Sequence, residues 1–299
     1  MWLSLAFLSA FFIGCYDIAK KKSVNNNAVI PVLFLNTLFC SCLLLPLFLI
    51  SKLSPATLAG SIFFLPSVSW QAHGLIFIKS VIVLTSWIFG YFAVKHLPLT
   101  ITGPINSTRP VIALVGAILI FGERLNLYQW IGVLLTIFSF YLLSRSSKKE
   151  GINFKNNKWI IFMIISTFAG AASGLYDKYL MLRIPATSVQ FWFNTYQWMM
   201  MLAVLLLLWY PRRQKGTKFE WRWSILLFSI LLTAADFVYF YALTFPGAMI
   251  SIISMVRRSS VVVSFAGGAL LFKEKNLKGK AIDLVLILIA MFFLYLGTI

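Results

Sequence analysis

Read from its first residue, the chain alternates between long apolar runs and shorter polar ones, and most of the apolar runs are of similar length. Ten such runs can be drawn: residues 2–19, 28–50, 74–94, 99–121, 127–144, 159–180, 186–210, 223–244, 247–272 and 277–298. About twenty apolar residues at ~1.5 Å rise each match the roughly 30 Å hydrocarbon core of a bilayer. Each run therefore predicts a membrane-spanning helix. Several connections hold only a few residues, so successive helices are expected to be antiparallel and packed together. The longest connection, 51–73, contains SIFFLPSV, too short to span and expected at the interface. The most polar connections are RSSKKEGINFKNNK (145–158) and RRQKGTKFEWR (212–222). The first divides the chain into residues 1–146, a basic linker 147–158, and residues 159–299. The predicted fold is an all-α polytopic membrane protein with five helices in each half.

Composition agrees with that pattern. Of the 299 residues, 60% are hydrophobic and 11% charged, with a mean hydropathy of +0.88. A net charge of +18 would point to nucleic acid in a soluble chain. Here the lysines and arginines cluster between apolar runs, where they set topology and meet anionic headgroups; no nucleic-acid partner is expected. Eighteen of them fall on the side of the 1–2, 3–4, 5–6, 7–8 and 9–10 connections and five on the other. By the positive-inside rule both termini then face outward. The start, MWLSLAFLSAFFIG, lacks a positively charged region and runs straight into the first span, so no cleaved signal is expected. Cys15, Cys40 and Cys42 have no zinc-ligand spacing with histidine and read as packing residues. No metal or cofactor is implied. With no GxxxxGK[ST] phosphate loop, transport energy would come from proton coupling or exchange.

The two halves read as copies. GCYD at 14–17 recurs as GLYD at 174–177, and FLNT at 34–37 as WFNT at 192–195. YFAV at 91–94 recurs as FYAL at 240–243, and Arg109 meets Arg258 at that same offset. The offset shortens across the 51–73 connection, which has no counterpart of equal length in the second half. FGERL at 121–125 resembles FKEKN at 272–276 only if the ninth run holds two extra residues. Five helices per copy is an odd number, so the second copy must insert upside down. That is the inverted-repeat plan of secondary transporters that bind substrate at the midplane.

Several stretches resemble the EamA-like branch of the drug/metabolite transporter superfamily. They are YFAVKHLPLT at 91–100, Pro110 followed by GER at 122–124, and QWIG at 129–132. The second copy keeps Ala242, Glu274, Gly267 and Gly268, lacks the proline, and has Lys273 in place of Gly122. The resemblance covers nearly the whole chain. It implies ten helices, a central cavity lined largely by helices 1, 3, 4, 6, 8 and 9, and alternating access in a bacterial-type cytoplasmic (inner) membrane. It also implies both termini in the cytoplasm, against the charge count. Its substrates range over amino acids, drugs, metabolites, nucleotide sugars and sugar phosphates, and the protein is expected as a monomer or homodimer. Arg109 stands where that family usually has a small residue, which singles out an anion-selective subgroup.

Arg109 itself is the residue the pattern makes hardest to ignore. It lies about ten residues from either end of its run, too deep for easy snorkelling, and a central arginine costs about 2.5–3.5 kcal/mol on the insertion scale. Pro104 and Pro110 also remove backbone donors nearby, which is tolerated only beside protein or a cavity. Arg109 and Arg258, with Arg257 adjacent, suit a carboxylate or phosphate, whose oxygens match the guanidinium fork. Adjacent helical residues point ~100° apart, so Arg257 and Arg258 are not expected to face one cavity squarely. The bland alternative is an ion pair with Asp236, a mid-span carboxylate that is itself a candidate for charge neutralisation or proton exchange. Asn106, Trp87 and Tyr239 join the expected substrate-binding set. Asp17 and Asp177, with Tyr16 and Tyr176, are expected at the cavity mouth as coupling or gating groups, or else as plain ion pairs with Lys20, Lys21 or Lys178. Glu123 and Glu274 are expected to stabilise the N-termini of helices five and ten. Asn36, Asn194 and Gln197 read as interhelical hydrogen bonds.

The functional expectation is a secondary transporter of a small carboxylate- or phosphate-bearing metabolite. A neutral- or cationic-drug exporter is the alternative. A lipid-acting membrane enzyme is remote, because His73 and His96 have no HxxxxD or HExxH partner. A scaffold would need no mid-membrane arginines.

Overall fold

The computed structural model describes residues 2–58, 60–109, 111–112, 126–148, 156–181, 183–214, 217–243, 245, 253, 256–274 and 277–297. Pro110, the GER stretch at 122–124 with Glu123, and the opening of the ninth apolar run lie outside the described residues, as does the side chain of Lys178. The helices are α1 (Trp2–Val24), α2 (Val29–Leu53), α3 (Trp70–His96), α4 (Leu99–Asn106), α5 (Leu127–Lys148), α6 (Lys158–Met181), α7 (Ala186–Val204), α8 (Trp223–Leu243), α9 (Ser260–Leu270) and α10 (Leu277–Leu296), with one isolated turn at Pro55–Leu58. Among the described residues, six helices are long and apolar enough to cross a membrane: α1, α2, α3, α6, α8, and α7 with its continuation to Arg212. The protein is an all-α polytopic membrane protein.

Several boundaries differ from the hydropathy reading for physical reasons. α1 continues past Ala19 to Val24 because Lys20 and Lys21 find partners and need not leave the helix. Lys21 Nζ donates to the carbonyls of Val94 (2.6 Å) and Leu97 (2.6 Å). α3 begins at Trp70, before Gly74, because Ser69 caps it by accepting from the Ala72 amide (3.3 Å). α4 loses regularity at Ser107–Thr108, just before Arg109, and a tight bond from Val111 N to Thr108 O (3.0 Å) restarts the chain. A matching turn at Ser259, with Val262 N bonding Ser259 O (2.9 Å), follows Arg258. The helical path is therefore interrupted beside each of the two arginines.

The distribution of residues is inverted relative to a water-soluble bundle. Phe7, Phe168 and Phe292 are 54%, 56% and 58% exposed, while Lys79, Lys280 and Asp283 are 4%, 0% and 1% exposed. That is stable where the solvent is lipid and the interior supplies the polar partners. α1 packs most heavily on α8, α3 on α6, α2 on α7 and α5 on α10. Exchanging each of the first five helices with its counterpart five places on turns α1–α8 into α3–α6 and α2–α8 into α3–α7. The same exchange turns α1–α9 into α4–α6. All of these pairs are in contact. Small residues allow the closest crossings: a methyl at Gly14 would overlap Val263 of α9, and one at Gly267 would overlap Ile18 of α1.

Candidate functional site

Six helices turn one face each toward a central cavity of about 230 Å³. On α1 the facing residues are Ile13, Tyr16, Asp17 and Lys20, and on α3 they run from Lys79 through Val83, Trp87 and Tyr91 to Val94. Both sets follow the three- and four-residue spacing of a single helix face. α4 and the turn after it contribute Thr102, Gly103, Asn106 and Arg109; α6 contributes Ser166, Gly170, Ser173 and Asp177. α8 supplies Asp236 and Tyr239. Arg257, Arg258 and Ser264 come from the ninth run, with Phe193 of α7 closing one wall.

Three carboxylates face the cavity and each holds a cation. Lys20 Nζ donates to Asp17 Oδ1 (2.6 Å) one turn away on α1. Lys79 of α3 pairs with Asp177 of α6. Arg257 pairs with Asp236 of α8, and its guanidinium lies 4.3 Å over the Tyr239 ring. The last two pairs link helices as well as neutralising charge. Around the first of them, Tyr16 and Tyr91 share a hydroxyl–hydroxyl hydrogen bond of 3.1 Å, and the Lys20 ammonium sits 4.4 Å over Tyr16.

Arg109 and Arg258 differ from these. Among the described residues, neither has a carboxylate within ion-pairing distance. The buried Arg109 Nε and the neighbouring buried Asn106 Oδ1 have no hydrogen-bond partner. Arg109 reaches across to α6 and lies against the backbone at Gly170. A methyl there would overlap Arg109 Cζ and approach Nε and Nη1 to 2.6 Å. Gly170 thus leaves the space that the guanidinium occupies.

Ten of the eleven residues singled out from the sequence are brought to this cavity: Arg109, Arg258, Arg257, Asp236, Asn106, Trp87, Tyr239, Asp17, Asp177 and Tyr16. Tyr176 is the exception. Its hydroxyl donates to the Leu75 carbonyl (3.2 Å) and its ring stacks on Tyr179, because it lies on the flank of α6 next to the face that carries Asp177. Arg257 and Arg258 both reach the cavity, since Arg257 tips toward Asp236 and leaves Arg258 the open side. Asp177 is held by Lys79 of α3. Glu274 does stabilise a helix N-terminus, but that of α4: it accepts from the amides of Leu99 (2.8 Å) and Thr100 (3.0 Å) and from Thr100 Oγ1 (2.5 Å). Asn36 bridges helices, accepting from Ser229 Oγ (3.0 Å).

Sequence reasoning passed over Lys79, which counted only as a connection-side charge, and over Gly170 and Tyr91. A helical-face test on α3 would have found the lysine, since 79, 83, 87, 91 and 94 fall on one stripe. Gly170 carries no such signal, because its role exists only where Arg109 crosses it.

Comparison with known proteins adds the relationship. The model of the EamA-like transporter family matches residues 1–145 and 157–296. A solved structure described only as a crystal structure of a protein superposes with a TM-score of 0.64 at 12% identity, covering 99% of this chain and 98% of the other. At that identity the likeness is one of fold. No curated protein matches.

Proposed function

We propose, because the chain belongs to the EamA-like transporter family, that it carries a small carboxylate- or phosphate-bearing metabolite across the cytoplasmic membrane by alternating access. Members of this family are transporters and not enzymes, so the lipid-acting alternative falls away. The chain is a multi-pass membrane transporter of small molecules.

The anionic substrate rests on one observation: Arg109 and Arg258 line the cavity without a carboxylate partner among the described residues. A guanidinium removed from water is stable only when paired or hydrogen-bonded, and an oxyanion supplies both. Ten spans as two inverted five-helix halves, 1–146 and 159–299, would carry the two arginines on opposing repeats. The exchange pattern of the helix contacts and the paired interruptions at Ser107–Thr108 and Ser259 support that arrangement. Rocking one half against the other around the midplane then moves the bound anion. Asp236, Asp177 and Asp17, each already paired, hold the walls and are the groups whose pairs can open during the transition.

A thermal-shift screen of the purified protein against amino acids, organic acids, sugar phosphates and cationic drugs tests the reading. A ligand at ~100 times its dissociation constant stabilises by about 2.7 kcal/mol. The expected result is an anionic hit lost in Arg109→Gln and Arg258→Gln. A cationic hit indifferent to both variants would overturn it in favour of drug or amine export.

A further inference from the structure

The charge count of the cavity points to more than an anion. We infer that the site is matched to a solute carrying two negative charges, an inference that rests on the anion-transport reading above. Five cationic side chains line the cavity, Lys20, Lys79, Arg109, Arg257 and Arg258, against three carboxylates, Asp17, Asp177 and Asp236. Each carboxylate is taken by one of the cations. Two positive charges remain, one on each half of the chain.

Among the described residues, no other carboxylate is placed at the cavity. Of its eight acidic residues, Glu220 pairs with Arg222 at 3.1 Å away from the cavity, and Glu274 is occupied at the start of α4. Asp283 is buried in α10 and is not among the lining residues. Glu123 and Glu150 lie outside the described residues; in sequence, Glu123 stands beside Arg124 and Glu150 beside Lys149. The sequence between 243 and 256 holds no ionisable acid at all. Arg109 Nε and Asn106 Oδ1, both buried and unpartnered, add an unused donor and an unused acceptor at the same wall.

In a low-dielectric cavity, the first negative charge to enter leaves one guanidinium uncompensated, and the second removes that penalty. A solute with two charges therefore gains more than its singly charged analogue of the same size. Two solute types share this chemistry, a dicarboxylate and a tetrahedral dianion such as a phosphate monoester, and they are separated by which probe binds.

The test uses full-length protein in detergent and pairs of probes that differ by one charge: sulfate against methyl sulfate, succinate against succinamate, and putrescine as a dication. Sulfate also stabilises proteins generally by exclusion from their surface, so the quantity read is wild type minus Arg258→Gln. The expected result is at least tenfold tighter binding of a dianion than of its monoanion partner, with the ratio falling toward one in Arg258→Gln. Arg109→Gln should do the same; if it does not fold, Arg109→Lys, which keeps the charge, must keep the preference. Sulfate alone showing the preference assigns a tetrahedral group, and succinate alone a dicarboxylate. Equal binding of the two members of each pair, reduced by the arginine variants, overturns the two-charge inference while leaving anion transport intact. Stabilisation by putrescine with no response to any anion overturns both.

Discussion

Two regions of this molecule bury cations, and they treat them in opposite ways. At the corner between α3 and α4, Lys21, Glu274 and Lys280 are closed off by the fold. Lys21 donates to the last carbonyls of α3, Glu274 accepts the first amides of α4, and Lys280 donates to Thr100 Oγ1 at 3.0 Å. Positive charge sits at a helix C-terminus and negative charge at an N-terminus, where the orphan backbone groups and the macrodipole favour each. In the central cavity, by contrast, Arg109 and Arg258 have no ion-pair partner among the described residues. A charged residue inside a membrane protein is thus not a site marker by itself. What separates the two regions is whether the hydrogen-bonding capacity has already been used by the fold.

That contrast predicts opposite consequences for removing charge. Glu274→Ala should destabilise by about 3 kcal/mol, because it strands two backbone donors and the Thr100 hydroxyl, and Glu274→Gln should recover part of the loss. Unfolding in detergent measures it, and an unchanged midpoint for the alanine variant would show that the corner is not held by this carboxylate.

Removing a cavity charge should do the reverse. Arg258→Gln is expected to lower ligand affinity by about 2–5 kcal/mol, on the order of 100-fold or more, while leaving stability unchanged or about 1 kcal/mol higher, since a partly buried cation with no ion pair among the described residues is lost. If Arg258→Gln destabilises as much as Glu274→Ala, the difference between the regions collapses and the arginine belongs to the scaffold.

A smaller effect sharpens the cavity side alone. Gly170→Ala places a methyl in the space of the Arg109 guanidinium, so affinity should fall about tenfold with a packing cost of about 1–3 kcal/mol. Gly174, which also lines the cavity but has nothing within 4 Å of a built Cβ, is the control: Gly174→Ala should retain wild-type transport. The smallest change is expected at Tyr176→Phe. It loses one hydrogen bond to Leu75, about 0.5–1.5 kcal/mol, and transport assayed in vesicles should not respond. A transport defect there would return Tyr176 to a gating role.

How much of this was legible beforehand varies with the kind of interaction. The depth of Arg109 within an apolar run made it a candidate on cost alone, and Asp236 stood out for the same reason. The partnership of Asp236 with Arg257, not Arg258, was not legible, because neighbouring helical residues differ by ~100° in direction and only the rotation of the helix decides which one meets α8. The Lys79–Asp177 pair was invisible for a related reason: each residue looked like a span-end charge until α3 and α6 packed together. Tyr176 failed in the other direction, having been grouped with Asp177 by adjacency in the chain although the two point to different surfaces.

The sequence by itself determined that the chain lives in a bilayer, where its long helices lie, and that charges sit at depths requiring compensation. Those properties follow from the length and apolarity of contiguous segments, which are local. Tertiary structure alone decided which charges compensate one another, which tyrosine faces the cavity, and that Glu274 serves α4 instead of its own helix. Those outcomes depend on the rotation and crossing of helices distant in the chain, and a linear pattern of hydropathy carries no term for either.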